Sequence, residues 1–266
     1  MSAQQQLHGP AYEWALWSTT VRVVTADARA LPSARRLVDA ELAHVELAAG
    51  PRRPDSELAR LPSGRRVRVS STLAAILGAA LRAAEETDGA LDPTTGRTLR
   101  TAGSDEPWRS IEFDVAAQTV LVPRGVLLDV DPIARAWAAD RCAAVVADVV
   151  DVGVLVSLGG DIATAGPAGG GAWEVVVTGP SDDRAAIVAV PTGLAVATAT
   201  ASSGMPVRMA TVVAADCVTA ATWSSVALTD GDRLTTPGLP TRLVMAAGSL
   251  RFLHGWPEDA ETIHNN

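Results

Sequence analysis

The stretch Leu128-Asp129-Val130-Asp131-Pro132-Ile133-Ala134-Arg135-Ala136-Trp137-Ala138-Ala139-Asp140, with Ser157-Leu158-Gly159-Gly160-Asp161 downstream, constrains the fold more than any other part of the chain. An apolar run ends on a carboxylate, turns tightly and continues as a helix with proline in its first turn, where a missing N–H costs least. A second apolar run then breaks at Gly159-Gly160-Asp161. Paired glycines let a backbone approach a ligand closely, and the adjacent aspartate can accept hydrogen bonds from hydroxyls or base edges. Without a ligand, the same corner reads as a β-bulge or turn. Asp129 and Asp140 then read as a helix-start residue and an exposed-face residue.

Periodicity organises the rest. Thr19 to Thr25 predicts a strand. A helix follows from Pro32-Ser33, with Val38, Leu42, Val45 and Ala49 on one face, and Pro51 to Pro54 end it. A second helix is predicted from about Ser71, with Leu73, Ile76, Leu77, Ala80, Leu81 and Ala84 aligned, and Asp88-Gly89 stop it. Ile111 to Val122 reads as a hairpin turning near Ala116 to Gln118. The third helix runs from Pro132 to about Val149. Strands are then expected at Gly153–Leu158, Trp173–Thr178, Ala185–Val190, Leu194–Ala199 and Val207–Ala214. A fourth helix is expected over Cys217–Ala227, and a closing hairpin over Arg242–Ala246 and Leu250–His254. Gly169-Gly170-Gly171 reads as a flexible strand connection, because no helix follows it. Helices early and strands late predict an α+β fold, a single compact domain of mixed and antiparallel sheets with about four helices. The expected limits are a flexible arm over 1–15, the domain over 16–255 and a tail over 256–266.

Composition narrows the function classes. Twenty-two basic residues stand against 30 acidic ones, a formal net charge of -8, so no electrostatic attraction favours nucleic acid or an anionic membrane. The chain contains no lysine. This excludes Schiff-base chemistry, a lysine general base and a P-loop lysine. Cys142 and Cys217 lack metal-ligand spacing, and Cys142 reads as a small buried residue inside the third helix. No basic-then-apolar leader and no membrane-length apolar run is evident, so the chain is expected to be cytoplasmic. His8, His44, His254 and His264 read as solvent-facing or packed.

The order of these pieces resembles the ApbE-type FAD:protein FMN transferases, over about Leu16 to His254. Trp17-Ser18-Thr19-Thr20 is similar to the family's Met-Gly-Thr segment. Pro54-Asp55-Ser56-Glu57-Leu58 is similar to its Asp-Ser-Glu-Leu, and Gly89-Ala90-Leu91-Asp92-Pro93-Thr94 to its Gly-x-Phe-Asp-Pro-Thr. Asp129, Ile133, Ala134, Ala138 and Asp140 fit its central Asp-Leu-Gly-(Gly/Ala)-Ile-Ala-Lys-Gly-Tyr-Ala-x-Asp motif. Arg135 stands for the lysine, Trp137 for the aromatic and Ala136 for the second glycine, which implies a narrower pocket. The resemblance implies an α+β fold of this family's kind, related to the T-fold, and FMN transfer from FAD to a threonine hydroxyl of an acceptor protein, assisted by Mg²⁺. It implies flavin contacts from Asp129, Arg135, Trp137, Asp140, Gly159, Gly160, Asp161 and Thr198, and a metal-facing backbone carbonyl at Pro132.

Two departures stand beside that likeness. The family holds Mg²⁺ with an Ala-Asp-x-x-x-Thr segment, which puts two oxygens on one helix face. Here Ala221 occupies the aspartate position and Ser225 the threonine position, and a methyl group cannot ligate a cation. The family's His-x-x-Asp-Pro-x-Thr-Gly loop is also shortened to Ser203-Gly204-Met205-Pro206, without the His and Asp. A relocated site from Asp131, the Pro132 carbonyl and Ser225 is one reading of the extra carboxylate; a helix cap at Asp131 is the other. Three functions remain open: a transferase of weak or lost activity, a non-catalytic flavin-binding relative, and a repurposed pocket for other small-molecule chemistry.

Overall fold

The valine-rich runs expected as strands do pair: those at Thr19–Thr25, Gly153–Leu158, Leu194–Ala199 and Val207–Ala214 join an antiparallel sheet of eight strands, and those beginning at Trp173 and Ala185 pair with each other in a sheet of three. The structure, a computed structural model, describes residues 11–51, 53–94, 106–167, 171–177, 185–201, 204–229, 238–256 and 262–263. Its elements begin with β1 (Ala11–Leu16), β2 (Thr19–Thr25) and α1 (Leu31–Ala49). Then come β3 (Val67–Arg68), α2 (Ser71–Glu86), β4 (Glu112–Asp114), β5 (Thr119–Leu121) and α3 (Asp131–Val150). The second half holds β6 (Val154–Leu158), β7 (Asp161–Ala165), β8 (Ala172–Val177), β9 (Ala185–Pro191), β10 (Ala195–Thr200) and β11 (Val207–Ala214). It closes with α4 (Cys217–Thr229), β12 (Thr241–Met245), β13 (Leu250–Leu253) and β14 (Thr262–Ile263). The α+β class holds, with four α-helices among the described residues. Contacts group the chain into two compact units, residues 1–39 with 139–266, and residues 40–138.

In the first unit the large sheet runs β1-β2-β6-β7-β10-β11-β12-β13. Side chains alternate across it, so each strand feeds two layers. Val24, Leu155, Ile162, Val196 and Val213 cluster with Val175, Val177, Val188 and Val190 of the small sheet β14-β9-β8, and with Trp256. The intervening residues Ala195 and Ala197 point the other way and are small. Helix α4 packs closely against β10 and β11. It is buried on more than one face, through Cys217, Ala220, Ala221, Thr222, Ser224, Val226, Ala227 and Leu228. Such a helix shows little amphipathic stripe.

In the second unit α2 buries Leu73, Ile76, Leu77, Ala80 and Ala84, while Leu81 is half-buried. Ser70 caps it by accepting from the Leu73 N–H at 3.2 Å. Its far end turns through Asp88 and Gly89, both with positive φ. The expected hairpin is β4–β5, with Asp114 opposite Thr119, and β3 adds to its β5 edge. Gly78 lies in the middle of α2, where a β-carbon would stand 3.4 Å from the Arg82 Nη1 and from Phe113. The guanidinium end can swing away. Gly78→Ala is therefore expected to raise stability by about 0.5–1 kcal/mol, read as a higher denaturation midpoint.

Three differences from the sequence reading matter. Ala11–Leu16, placed mostly in a flexible arm, is the edge strand β1, joined to β2 by a two-residue turn at Trp17-Ser18. Asp161–Ala165, left unassigned, is the central strand β7. The cap of α3 is not Asp131, which is the helix's first residue; the Asp129 carboxylate accepts the Asp131 N–H at 3.0 Å. Residues 1–10, Thr178, Gly169, Gly170, Ser203, His8 and His264, about which expectations were formed, lie outside the described residues, as do 257–261 and 264–266 of the expected tail. Among the described residues no helix is long and apolar enough to cross a membrane.

Candidate functional site

In the second unit, segments distant in sequence meet at one open cavity of about 460 Å³. Gly50, Pro51, Arg53, Pro54, Ser56 and Leu58 form one wall, and Leu128, Asp129, Val130 and Asp131 form another. Prolines and the Ser56 turn stiffen the first wall: the Ser56 N–H donates to the Arg53 carbonyl at 3.1 Å, and its hydroxyl accepts from the Ala59 N–H at 3.2 Å. The Leu91–Thr94 segment braces the second wall. There the Asp129 N–H donates to the Pro93 carbonyl at 2.7 Å, while Asp92 accepts from the Thr94 N–H at 2.7 Å. Asp129 thus sits in a double hold, its N–H on Pro93 and its carboxylate on the start of α3. The Val130 carbonyl takes the first helical bond, from the Ala134 N–H at 2.8 Å.

One turn into α3, the Arg135 guanidinium lies 3.5 Å from the Asp131 carboxylate, which is 9% exposed. The charge that made Asp131 a candidate cation ligand is therefore partly neutralised from within its own helix. Pro132 and Trp137 are half-buried, and Ala136 is fully buried.

The first unit holds the Gly159-Gly160 corner. Leu158 pairs with Asp161, so the two glycines are a two-residue hairpin link, and φ of +67° at Gly159 is the pattern of a type II′ turn. Both glycines are pressed by neighbours. A β-carbon on Gly159 would stand 2.3 Å from the Thr19 Oγ1, and one on Gly160 would stand 2.8 Å from the Thr198 carbonyl oxygen. The Gly159 N–H donates to the Thr20 carbonyl at 2.9 Å and the Thr198 N–H to the Gly160 carbonyl at 3.0 Å, which ties the corner to β2 and β10. Asp161 lies opposite Ala197, and Thr198 is the next residue along, so strand alternation sends the Asp161 and Thr198 side chains to opposite sheet faces. Thr198 meets the Thr211 hydroxyl at 3.0 Å.

Asp140, expected against the flavin, has its carboxylate on backbone. It accepts from the Cys217 N–H at 2.8 and 3.0 Å and from the Val218 N–H at 3.1 Å, at the start of α4. Asp216, which sequence reasoning did not place in a cap, accepts from the Thr219 N–H at 2.7 Å and from its hydroxyl at 3.0 Å. The Asp-x-x-Thr spacing carried that signal. Burial, reinforced by Asp216 and Asp161, pushes the Asp140 carboxyl up to about 7, against the pull of the Cys217 and Val218 N–H donors. Burial also pushes the Cys217 thiol up, which leaves it protonated and a poor nucleophile.

Further along α4, Ala221 is buried and Ser225 is half-buried. The neighbouring hydroxyls turn inward: Ser224 donates to the Ala221 carbonyl at 3.1 Å and Thr222 to the Val218 carbonyl at 2.8 Å. Of the three residues considered for a relocated metal site, Asp131 and Pro132 belong to the second unit and Ser225 to the first. Among the described residues no group of three His, Cys, Asp or Glu side chains is placed to hold a metal ion.

The ApbE family model matches residues 17–205. Solved structures are similar over nearly the whole chain. An ApbE protein from Thermotoga maritima superposes with a TM-score of 0.76 at 21% identity, covering 93% of this chain and 97% of its own. The apo flavinyl transferase ApbE of Pseudomonas stutzeri gives 0.74 at 17% identity, covering 95% of each chain. The flavin transferase ApbE of Vibrio cholerae gives 0.72 at 18% identity, covering 97% of this chain and 100% of its own. No curated protein matches the sequence.

Proposed function

The chain belongs to the ApbE family, and from that premise we propose that it binds FAD and transfers FMN to a threonine hydroxyl of an acceptor protein. The observation that carries this reading is the cavity of the second unit. Two segments that resemble family motifs, Pro54–Leu58 and Asp129–Asp131, are separate in sequence and both line it, and a third, Leu91–Thr94, braces Asp129 from behind through the Pro93 carbonyl. Its volume lies in the range of small-molecule sites, about 300–1,000 Å³. In the reaction the threonine oxygen forms a bond to the flavin-side phosphorus. The bond from that phosphorus to the bridging oxygen breaks, AMP leaves with the electron pair, and the hydroxyl proton passes to the departing phosphate or to solvent. Asp129, Arg135, Trp137, Asp140, Gly159, Gly160, Asp161 and Thr198 are the proposed flavin-binding set. Within it, Asp140 acts through the backbone of α4, because its carboxylate is taken up by Cys217 and Val218.

The residues present do not fit Mg²⁺ as the family pattern holds it. A hard cation wants several oxygens and negative charge. Ala221 offers a methyl group, Ser225 a neutral hydroxyl, and Asp131 is already paired with Arg135. No step is therefore routed through a metal, and transfer is expected to be slow. That same shortage of ligands favours a second reading, a flavin-binding relative without transfer.

The test is titration with FAD, followed by flavin fluorescence and calorimetry, with and without Mg²⁺. Binding that changes less than about tenfold on adding Mg²⁺ is expected, a difference of under about 1.4 kcal/mol. Transfer to a threonine-bearing acceptor then separates enzyme from binder. Binding strengthened well beyond that by Mg²⁺ would restore a metal site; no binding in either condition would leave a repurposed scaffold. Ala221→Asp puts the missing carboxylate back into a buried position. It is expected to lose stability in metal-free buffer and recover it with Mg²⁺ alone, and to gain at least about tenfold Mg²⁺ dependence in FAD affinity. An Ala221→Asp protein indifferent to Mg²⁺ in both readouts would show that α4 is not the metal helix.

A further inference from the structure

We propose that Asp140 is the positioning residue of α4: carried on α3, its carboxyl group holds the first turn of that helix through the Cys217 and Val218 N–H groups. The geometry is long-range and specific. Asp140 lies on α3, yet both its oxygens accept from the Cys217 N–H, and one also from the Val218 N–H. These are among the N–H groups a helix cannot satisfy internally. Asp216 already caps the same end through Thr219. Two carboxyl groups therefore crowd one helix terminus, where the dipole is equivalent to only about half a positive charge.

The titratable groups facing Asp140 from the packed elements are Asp216 ahead of α4, Asp161 on β7 and the Cys217 thiol on α4, which burial keeps neutral. Asp216 and Asp161 are acidic, and both disfavour a charge on Asp140. Ionised Asp140 would form stronger bonds to the two N–H groups, but it loses hydration and meets two other carboxylates. The balance falls against the charge, which is why the group holds its proton up to about pH 7 in the fold, against an ordinary value of 3.8. The sign follows from linkage. The folded chain binds a proton that the unfolded chain has released, so this contribution to stability is complete below pH 3.8 and is lost as the pH rises through about 7. Above that, α4 is held by an ionised carboxyl group that its surroundings disfavour.

For function this inference rests on the transferase reading, since α4 carries Ala221 and Ser225; flavin affinity should follow the same pH curve. The test itself needs no flavin. Thermal unfolding and hydrogen exchange at the Cys217 and Val218 amides are measured from about pH 5 to 8.5 on the full chain and on Asp140→Asn, which keeps an acceptor oxygen but cannot ionise. In the native chain, protection of these amides should fall by about tenfold or more beyond the intrinsic pH effect. In Asp140→Asn it should stay flat, and above pH 7 the variant should melt no lower than the native chain. Parallel pH slopes in the two proteins overturn the proposal. Should the variant fail to fold, the carboxyl carbon of Asp140 in the native chain is followed by NMR, and a midpoint near 4 overturns it equally. FAD titration over the same range separates the two ideas: a pH-dependent α4 without flavin binding defeats the transferase reading and leaves Asp140 its role.

Discussion

Ile162→Ala is expected to lower the unfolding free energy by about 2–5 kcal/mol, among the largest effects available from one substitution in this chain. Ile162 has no exposed surface and is packed among Leu155, Val175, Val188, Val196 and Val213. Those neighbours belong to two sheets, each held by its own hydrogen bonds, so neither can collapse into the space left by the missing carbons. The residue before it, Asp161, faces the opposite side of β7. A loosened Ile162 therefore also loosens the anchor of the Gly159-Gly160 corner, and FAD affinity should fall with stability. Chemical denaturation reads the change as a lower midpoint at unchanged slope. Leu127→Ala, at a residue 81% exposed, is the control and should stay within about 0.5 kcal/mol of the native chain. If the two variants behave alike, the sheet-on-sheet core is not where the structure puts it.

Gly160→Ala is the second. The obstacle to a methyl group there is the Thr198 carbonyl oxygen at 2.8 Å, a backbone atom that cannot rotate away. The same peptide segment donates the Thr198 N–H to the Gly160 carbonyl at 3.0 Å. Relief of the clash must therefore stretch the bond that joins the corner to β10. A cost of about 1–3 kcal/mol is expected, with a fall in melting temperature of roughly 2–4 °C for each kcal/mol. At Gly159 the nearest atom is a threonine hydroxyl, which can turn, but φ of +67° adds its own penalty to any side chain. A Gly160→Ala protein that melts with the native chain would mean that the corner is not pressed against β10.

Much of the fold was legible in the residues, for identifiable reasons. Val38, Leu42, Val45 and Ala49 keep a helical period, and all four are buried on α1. The stop at Asp88-Gly89 was readable because both residues tolerate positive φ. β1 was not readable. Tyr12, Trp14 and Leu16 do alternate with Ala11, Glu13 and Ala15, but as an edge strand none of the six is fully buried, and what holds it is the free row of backbone groups that β2 offers. β7 is short, with Ile162 its one large apolar residue, between a turn and a bend, and its register against β6 and β10 defines it.

The candidate site was legible in part. The resemblance singled out Pro54–Leu58 and Asp129, which line the cavity, but not the Ala49–Arg53 stretch beside them. It could not tell that Asp161 and Thr198 face opposite ways, since that depends on which residue of β10 stands opposite Asp161. Nor could it tell that Asp140 is spent on α4, because the partner amides lie 77 and 78 positions away. At Asp131 the error was local. Asp129 and Asp131 are equally good capping residues, and the choice of Asp129 follows from its N–H being held by Pro93, a contact outside the helix.

The first unit is assembled from two separate stretches of the chain, residues 1–39 and 139–266, with the second unit inserted between them. On the ribosome this sets a waiting period. Strands β1 and β2 leave the exit tunnel before the inserted unit, and their hairpin bond pattern can form at once. Yet Val21, Val23 and Val24 are completely or almost completely buried in the finished sheet, and β2's second neighbour, β6, is made only after the insertion is complete. During that interval the nascent chain carries an apolar ribbon open along both edges, the kind of surface that chaperones bind and that aggregates recruit. The inserted unit, by contrast, is synthesised without interruption. Yield from a cell should thus depend on how long the opening hairpin is left without its partner as well as on the stability of the finished fold.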